Sequence, residues 1–150
     1  MRLALYQPDI AGNVGAILRL GACLGVGVDL IEPMGFPWGE RAQRRAAMDY
    51  AGHVEIARHA DWAAFRAQSV GRIVLLTTTG AEPLPRVRFR TDDVLLLGSE
   101  GAGVPPHVHA QADLRVRIPM RPGLRSLNVA LAAALVLGEA LRQTGGWPEG

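Results

Sequence analysis

The chain of 150 residues contains no lysine: all 16 of its basic residues are arginine. That absence excludes a Walker A phosphate loop, a pyridoxal Schiff base and a protein-kinase ion pair, each of which needs a lysine. A single cysteine, Cys23, excludes a disulfide framework and a cysteine-rich zinc site, and fits a reducing cytoplasm. Aromatic residues make up only 5%, too few for extensive base stacking. No HExxH, EF-hand or paired CxxC pattern occurs. His107 and His109 form an HxH pair that reads as a solvated loop rather than a metal site. The first apolar run is stopped by Pro8 and Asp9, too early for a signal peptide. The longest, residues 127–138, is broken by Asn128 and falls short of the ~20 residues that span a bilayer. The expectation is a soluble, cytoplasmic protein with no membrane contact and no metal.

Hydrophobic residues are 49% of the chain and charged residues 20%, with a formal charge of +2. That composition and length predict one globular domain over residues 1–150. Strand patterns fall at residues 2–6, 28–32, 54–57, 72–78, 94–98 and 114–118. Helical patterns fall at 14–24, 40–49, 61–69, 105–111 and 126–144, with Asn13, Asp61 and Ser126 as N-caps and Gly25 as a stop. The runs at 72–78 and 94–98 are nearly all apolar, the mark of strands buried on both faces. Strands alternating with helices predict an α/β fold, a mainly parallel sheet with helices on both faces. The last helix is apolar on every side, so it asks for burial on every side. Either a second copy of the chain covers its outer face or it is the central helix of a monomer.

Three turn-rich segments follow strand ends: residues 8–15, 98–105 and 118–128. In parallel sheets ligands bind beyond the carboxyl ends of the strands, and glycines allow close backbone approach. None of the three matches the GxGxxG dinucleotide fingerprint, and GSEG is not the GxSxG nucleophile elbow. Polar residues make these segments more than connectors. Arg19 interrupts an apolar helix, Glu100 directly follows a buried strand, and Ser126 and Asn128 open the last helix, where free N–H groups favour anions.

The segments PDIAGNVGAILR, LLGSEGAGVP and IPMRPGLRSLNVALAAALVLGEALRQ resemble the three motifs of the SPOUT superfamily of S-adenosylmethionine-dependent RNA methyltransferases. IEPMGFPW and RRAAMDY narrow the resemblance to its small tRNA 2′-O-methyltransferases of the wobble nucleotide, cytidine or uridine 34. The resemblance runs nearly end to end. Relatives carry a second proline at the position of Ala11 and often a tyrosine at the position of Gly138.

The resemblance implies a homodimer with a C-terminal trefoil knot, S-adenosyl-L-methionine as cofactor and the tRNA anticodon stem-loop as substrate. It assigns the reaction to Arg19, Asn13, Glu100, Ser126 and Asn128, with Arg19 at the ribose hydroxyl and Glu100 positioning an arginine. Because a guanidinium hardly deprotonates in proteins, Arg19 reads as a stabiliser of the developing alkoxide rather than a base. The cofactor site it implies comprises Leu76, Thr77, Thr78, Gly98, Glu100, Gly101, Gly103, Ile118, Pro119, Met120, Ser126 and Leu127. Arg121, Arg125, Arg41, Arg44 and Arg45 are the candidate RNA phosphate contacts, with a solvated helix face as the alternative for the last three. Phe36 and Trp38 are candidates to stack on a splayed anticodon base. Two alternatives stay open: a related enzyme acting on another tRNA position or on ribosomal RNA, and a non-catalytic RNA-binding module of the same fold.

Overall fold

Strands too apolar to face water build the centre of the molecule. Val94–Leu97 and Ile73–Val74–Leu75 are buried on both sides. The computed structural model describes residues 1–150, except the side chain of Ala51. Its strands are β1 (Arg2–Tyr6), β2 (Gly27–Ile31), β3 (Ile56–His59), β4 (Ile73–Leu76), β5 (Glu82–Pro83), β6 (Val94–Leu97) and β7 (Leu114–Arg117). They form one sheet in the order β3-β2-β1-β6-β4-β7-β5, with every pair parallel. The helices are α1 (Ala11–Leu24), α2 (Glu40–Ala47), α3 (Trp62–Gln68), α4 (Pro106–Gln111) and α5 (Val129–Thr144), with a 3-10 segment at Met48–His53.

Alternation along the strands splits the core in two. Leu3, Leu5, Val28, Leu30, Leu95 and Leu97 pack with α1 and α5 on one face. Ala4, Tyr6, Ile31, Ile73, Leu75 and Leu96 pack with Trp62 and Phe65 of α3 and Val108 of α4 on the other. The expected parallel α/β class with helices on both faces is therefore the observed one.

Helix ends follow local chemistry. Gly25 and Gly145 take the left-handed conformation (φ 67° in each) and close α1 and α5. Asp61 caps α3 by accepting the N–H of Ala64 at 2.7 Å. Two expected caps are wrong. Helix α1 starts at Ala11, with Ile10 at the cap position and no side-chain cap, because Asn13 is engaged elsewhere. Helix α5 starts at Val129, and its cap is Asn128 rather than Ser126. The expected strand at 54–57 forms two residues later, and the expected helix at 40–49 tightens into the 3-10 segment after Ala47.

Phe36 and Trp38 sit in the loop between β2 and α2. Their rings meet edge to face at 5.7 Å, and both pack against the core. They anchor that loop and stay partly exposed.

Candidate active site

The central strands end side by side. The register sets Leu5 beside Leu97, Leu97 beside Leu76 and Leu76 beside Val116. The segments that follow β1, β6, β4 and β7 therefore leave the sheet along one edge, where parallel sheets bind ligands. A cavity of about 510 Å³ opens among them, within the ~300–1,000 Å³ range of small-molecule sites. Strand-end residues Leu75, Leu76, Leu97 and Val116 line it, with Ile118, Met120, Leu127 and Val129 as further apolar surface. Asn13, Thr77, Thr78, Ser99, Glu100, Ser126 and Asn128 supply the polar groups.

One hydrogen-bonded chain ties the loops together. Oδ1 of Asn128 accepts the N–H groups of Ala130 (2.9 Å) and Leu131 (3.3 Å), capping α5. With that oxygen spent, its amide donates to Oδ1 of Asn13 at 3.0 Å. The amide of Asn13 then donates to Oε1 of Glu100 at 3.2 Å. Oε2 of Glu100 accepts the Asp9 N–H at 2.7 Å, and the Asp9 carboxylate accepts the Gly101 N–H at 3.1 Å. An ionised carboxylate only accepts, so Glu100 fixes which way the Asn13 amide faces. Glu100 thus orients Asn13; among the described residues it touches no arginine. Asp9 was missed in the sequence reading, although an aspartate just after Pro8 is a recognisable turn signal.

The loop after β6 is closed by Ser99 and Gly103, whose backbones exchange hydrogen bonds of 3.0 and 2.9 Å. A Cβ at Gly98 would lie 2.6 Å from the Gly103 carbonyl carbon, and Gly103 itself takes φ 65°. Both positions therefore require glycine.

Most expected cofactor residues reach the cavity: Leu76, Thr77, Thr78, Gly98, Glu100, Gly103, Ile118, Met120, Ser126 and Leu127. Gly101 and Pro119 do not line it; Gly101 gives its N–H to Asp9 instead. Asn13 and Asn128 line it, whereas Arg19 does not. Arg19 is exposed and, among the described residues, makes no ion pair or hydrogen bond; its guanidinium lies over the ring of Tyr50 at 4.9 Å. Arg121 and Arg125 are exposed on the loop before α5, and Arg41, Arg44 and Arg45 are exposed on α2. Ile10, Ser99 and Val104, which lie in the segments 8–15 and 98–105 but not among the expected cofactor residues, also line the cavity.

The cavity suits S-adenosyl-L-methionine on its own chemistry. Apolar side chains offer a surface for adenine, and exposed loop backbone offers hydrogen bonds. Among the described residues Glu100 is the one charged side chain that lines the cavity, and a carboxylate suits a sulfonium cation. No group of three potential metal ligands occurs among the described residues.

An all-parallel sheet in this order, with a loop-built cavity beyond its central strands, is the architecture of a SPOUT-type methyltransferase. The SpoU rRNA Methylase family model matches residues 1–138, and the chain belongs to that family. It is 58% identical over 146 residues to the tRNA (cytidine(34)-2′-O)-methyltransferase of Beijerinckia indica subsp. indica, covering 95% of this chain and 91% of that one. It superposes at a TM-score of 0.87 on a solved structure described as giving insights into the 2-OH methylation of C/U34 on tRNA. That protein is 38% identical, with 95% of this chain and 94% of the other covered. The AdoMet-bound rRNA methyltransferase of Sinorhizobium meliloti matches at 0.83 and 30% identity, over 94% of this chain and 55% of that one.

Proposed function

We propose that this chain methylates the ribose 2′-hydroxyl of nucleotide 34, cytidine or uridine, in the anticodon loop of tRNA, using S-adenosyl-L-methionine. The observation that carries the reading is the Asn128–Asn13–Glu100 chain, which gathers the three loops at one cavity. The near-full-length likeness to a cytidine-34 enzyme supports the same substrate.

The cofactor, when bound, supplies a methyl group already activated on its sulfonium. The protein's task is to bind, align and manage charge. Leu76, Ile118, Met120 and Leu127 hold the adenine, while the loops around Gly98 and Ser126 give backbone hydrogen bonds. Asn13 and Asn128, fixed by Glu100, orient the ribose. Arg19 stabilises the negative charge that develops on the 2′-oxygen as the hydroxyl proton passes to solvent water; among the described residues no ion pair occupies its five N–H donors.

Because Arg19 lies outside its own chain's cavity, a second copy is part of this reading. Leu131 and Leu135 are 60% and 52% exposed one turn apart on α5, and Leu127, just before its cap, is 40% exposed; this apolar surface supports a homodimer covering that face. In that homodimer Arg19 of one copy serves the cavity of the other. Arg121, Arg125, Arg41, Arg44 and Arg45 take the phosphates of the anticodon stem-loop. The whole chain acts as one domain in the cytoplasm, and the parallel sheet order supports the trefoil-knot topology.

The test is methylation of transcribed tRNA with labelled cofactor, followed by nucleoside mapping. Label on the ribose of nucleotide 34 is the expected result; label only at another tRNA position or in ribosomal RNA overturns the assignment. Arg19→Ala is expected to lower turnover by about 10²–10³-fold while calorimetry shows unchanged cofactor binding. Near-normal turnover by that variant removes Arg19 from the mechanism.

A further inference from the structure

We infer that Tyr50 is a positioning residue for Arg19, holding its guanidinium by a cation–π contact that leaves every N–H free for the RNA. This rests on the role given above to Arg19. The guanidinium lies 4.9 Å from the centre of the Tyr50 ring. A carboxylate in that place would hold the arginine equally well, but it would neutralise the charge and occupy the fork of donors. An aromatic face attracts the cation through its π system and consumes no hydrogen bond. Asp49 is the neighbour of Tyr50 in sequence, yet Arg19 pairs with no carboxylate among the described residues.

The backbone around Tyr50 is built to place it. Two glycines on α1 flank Arg19 and act as notches. A Cβ at Gly15 would come within 2.7 Å of the Ala46 carbonyl oxygen. One at Gly21 would come within 2.6 Å of the Val26 oxygen and 3.2 Å of a Val54 methyl. The segment from Ala46 to Val54 is thus seated against α1 before and after Tyr50. Between them Met48 takes φ 50°, a positive value that a residue with a side chain resists. That turn ends α2 and sends the 3-10 segment along α1, bringing the ring of residue 50 under residue 19. The arrangement holds an otherwise flexible side chain in one place.

The test compares Tyr50→Leu, Tyr50→Phe and Arg19→Ala in tRNA methylation, with circular dichroism to confirm folding. Tyr50→Leu is expected to lose roughly tenfold in kcat, with KM for S-adenosyl-L-methionine unchanged. Tyr50→Phe, which keeps the ring, is expected to recover the rate. Adding Tyr50→Leu to Arg19→Ala is expected to cost nothing more, because the tyrosine acts only through the arginine. Full activity in Tyr50→Leu, or a further loss in the double variant, overturns the proposal. Nitrogen-labelled NMR gives a readout independent of turnover. The Arg19 Nε–H is expected to carry a ring-current shift in the wild type and Tyr50→Phe that vanishes in Tyr50→Leu. A wild-type chain that methylates no tRNA defeats the substrate assignment alone. An Arg19 signal indifferent to residue 50 defeats the positioning role alone.

Discussion

Asn128 uses both ends of one amide: its oxygen caps α5 and its nitrogen reaches Asn13. The two duties are separable by substitution. Aspartate keeps the capping oxygen, but its other oxygen cannot donate to Asn13. Asn13 then lies between carboxylates at residues 100 and 128, and whichever of them its nitrogen faces, its oxygen is turned against the other. Asn128→Asp is therefore expected to keep the thermal midpoint within a few degrees while methyl transfer falls by roughly tenfold or more. Paired unfolding and turnover assays check it; equal loss of both would mean that Asn128 is only a cap. Asp93 is the contrasting case, purely structural. It is fully buried and accepts Arg72 Nε at 2.7 Å, Arg72 Nη2 at 2.8 Å and the Arg90 N–H at 2.8 Å. Asp93→Ala leaves a half-buried guanidinium without its partner and is expected to cost about 3–5 kcal/mol in denaturant unfolding. Nothing in the sequence separates Asp93 from exposed Asp92 beside it. What sets them apart is the distant partner Arg72, which only the folded chain brings near.

At the scale of elements, strands were more legible than helix starts. An all-apolar run between glycines permits little but a buried strand, and β4 and β6 lie within the expected spans. Helix starts are decided by competition for side-chain oxygens. Asn13 has the right chemistry for an N-cap, yet Glu100 and Asn128 claim it from far along the chain. The expected tyrosine position on α5 shows another long-range effect. A Cβ at Gly138 would meet the ring of Trp147 at 3.7 Å, so the C-terminal tail fills that space. Helix α5 also carries a pH-sensitive contact on its surface. Glu139 accepts from Arg142 at 2.8 and 2.9 Å and from Gln143 at 2.8 Å, and these bonds lower its carboxyl from 4.5 to about 2. A lowered carboxylate pKa adds stability above its unfolded value and loses it as pH falls toward the folded one. The stability advantage of wild type over Glu139→Gln is thus expected at neutral pH and to shrink between about pH 5 and pH 2. Unfolding curves across that range read it directly; an advantage that grows with acid would reverse the sign of the contact.

The whole molecule holds what periodicity could not supply. Sheet order depends on register between strands as distant as β1 and β6, so the cavity was legible as three loops but not as one place. The resemblance joined them, and the hydrogen bonds give the physical reason for the join. The all-apolar last helix foretold a surface in need of cover, and the exposed leucines locate it. That surface and the misplaced Arg19 make one prediction together. If Arg19 acts on the cavity of a second copy, Arg19→Ala and Glu100→Ala damage different halves of each composite site. Either homodimer alone is expected to be nearly inactive. Co-expressed, half of the random dimers are mixed, and each has one site with an intact arginine and an intact cavity. Turnover is then expected to return to about a quarter of the wild-type value. A mixture as inactive as its components would place Arg19 at its own chain's cavity. Leu131→Arg, which puts charge on the exposed stripe, separates the two cases further. It is expected to yield a monomer by light scattering that has lost methyl transfer, since no second copy remains to supply the arginine.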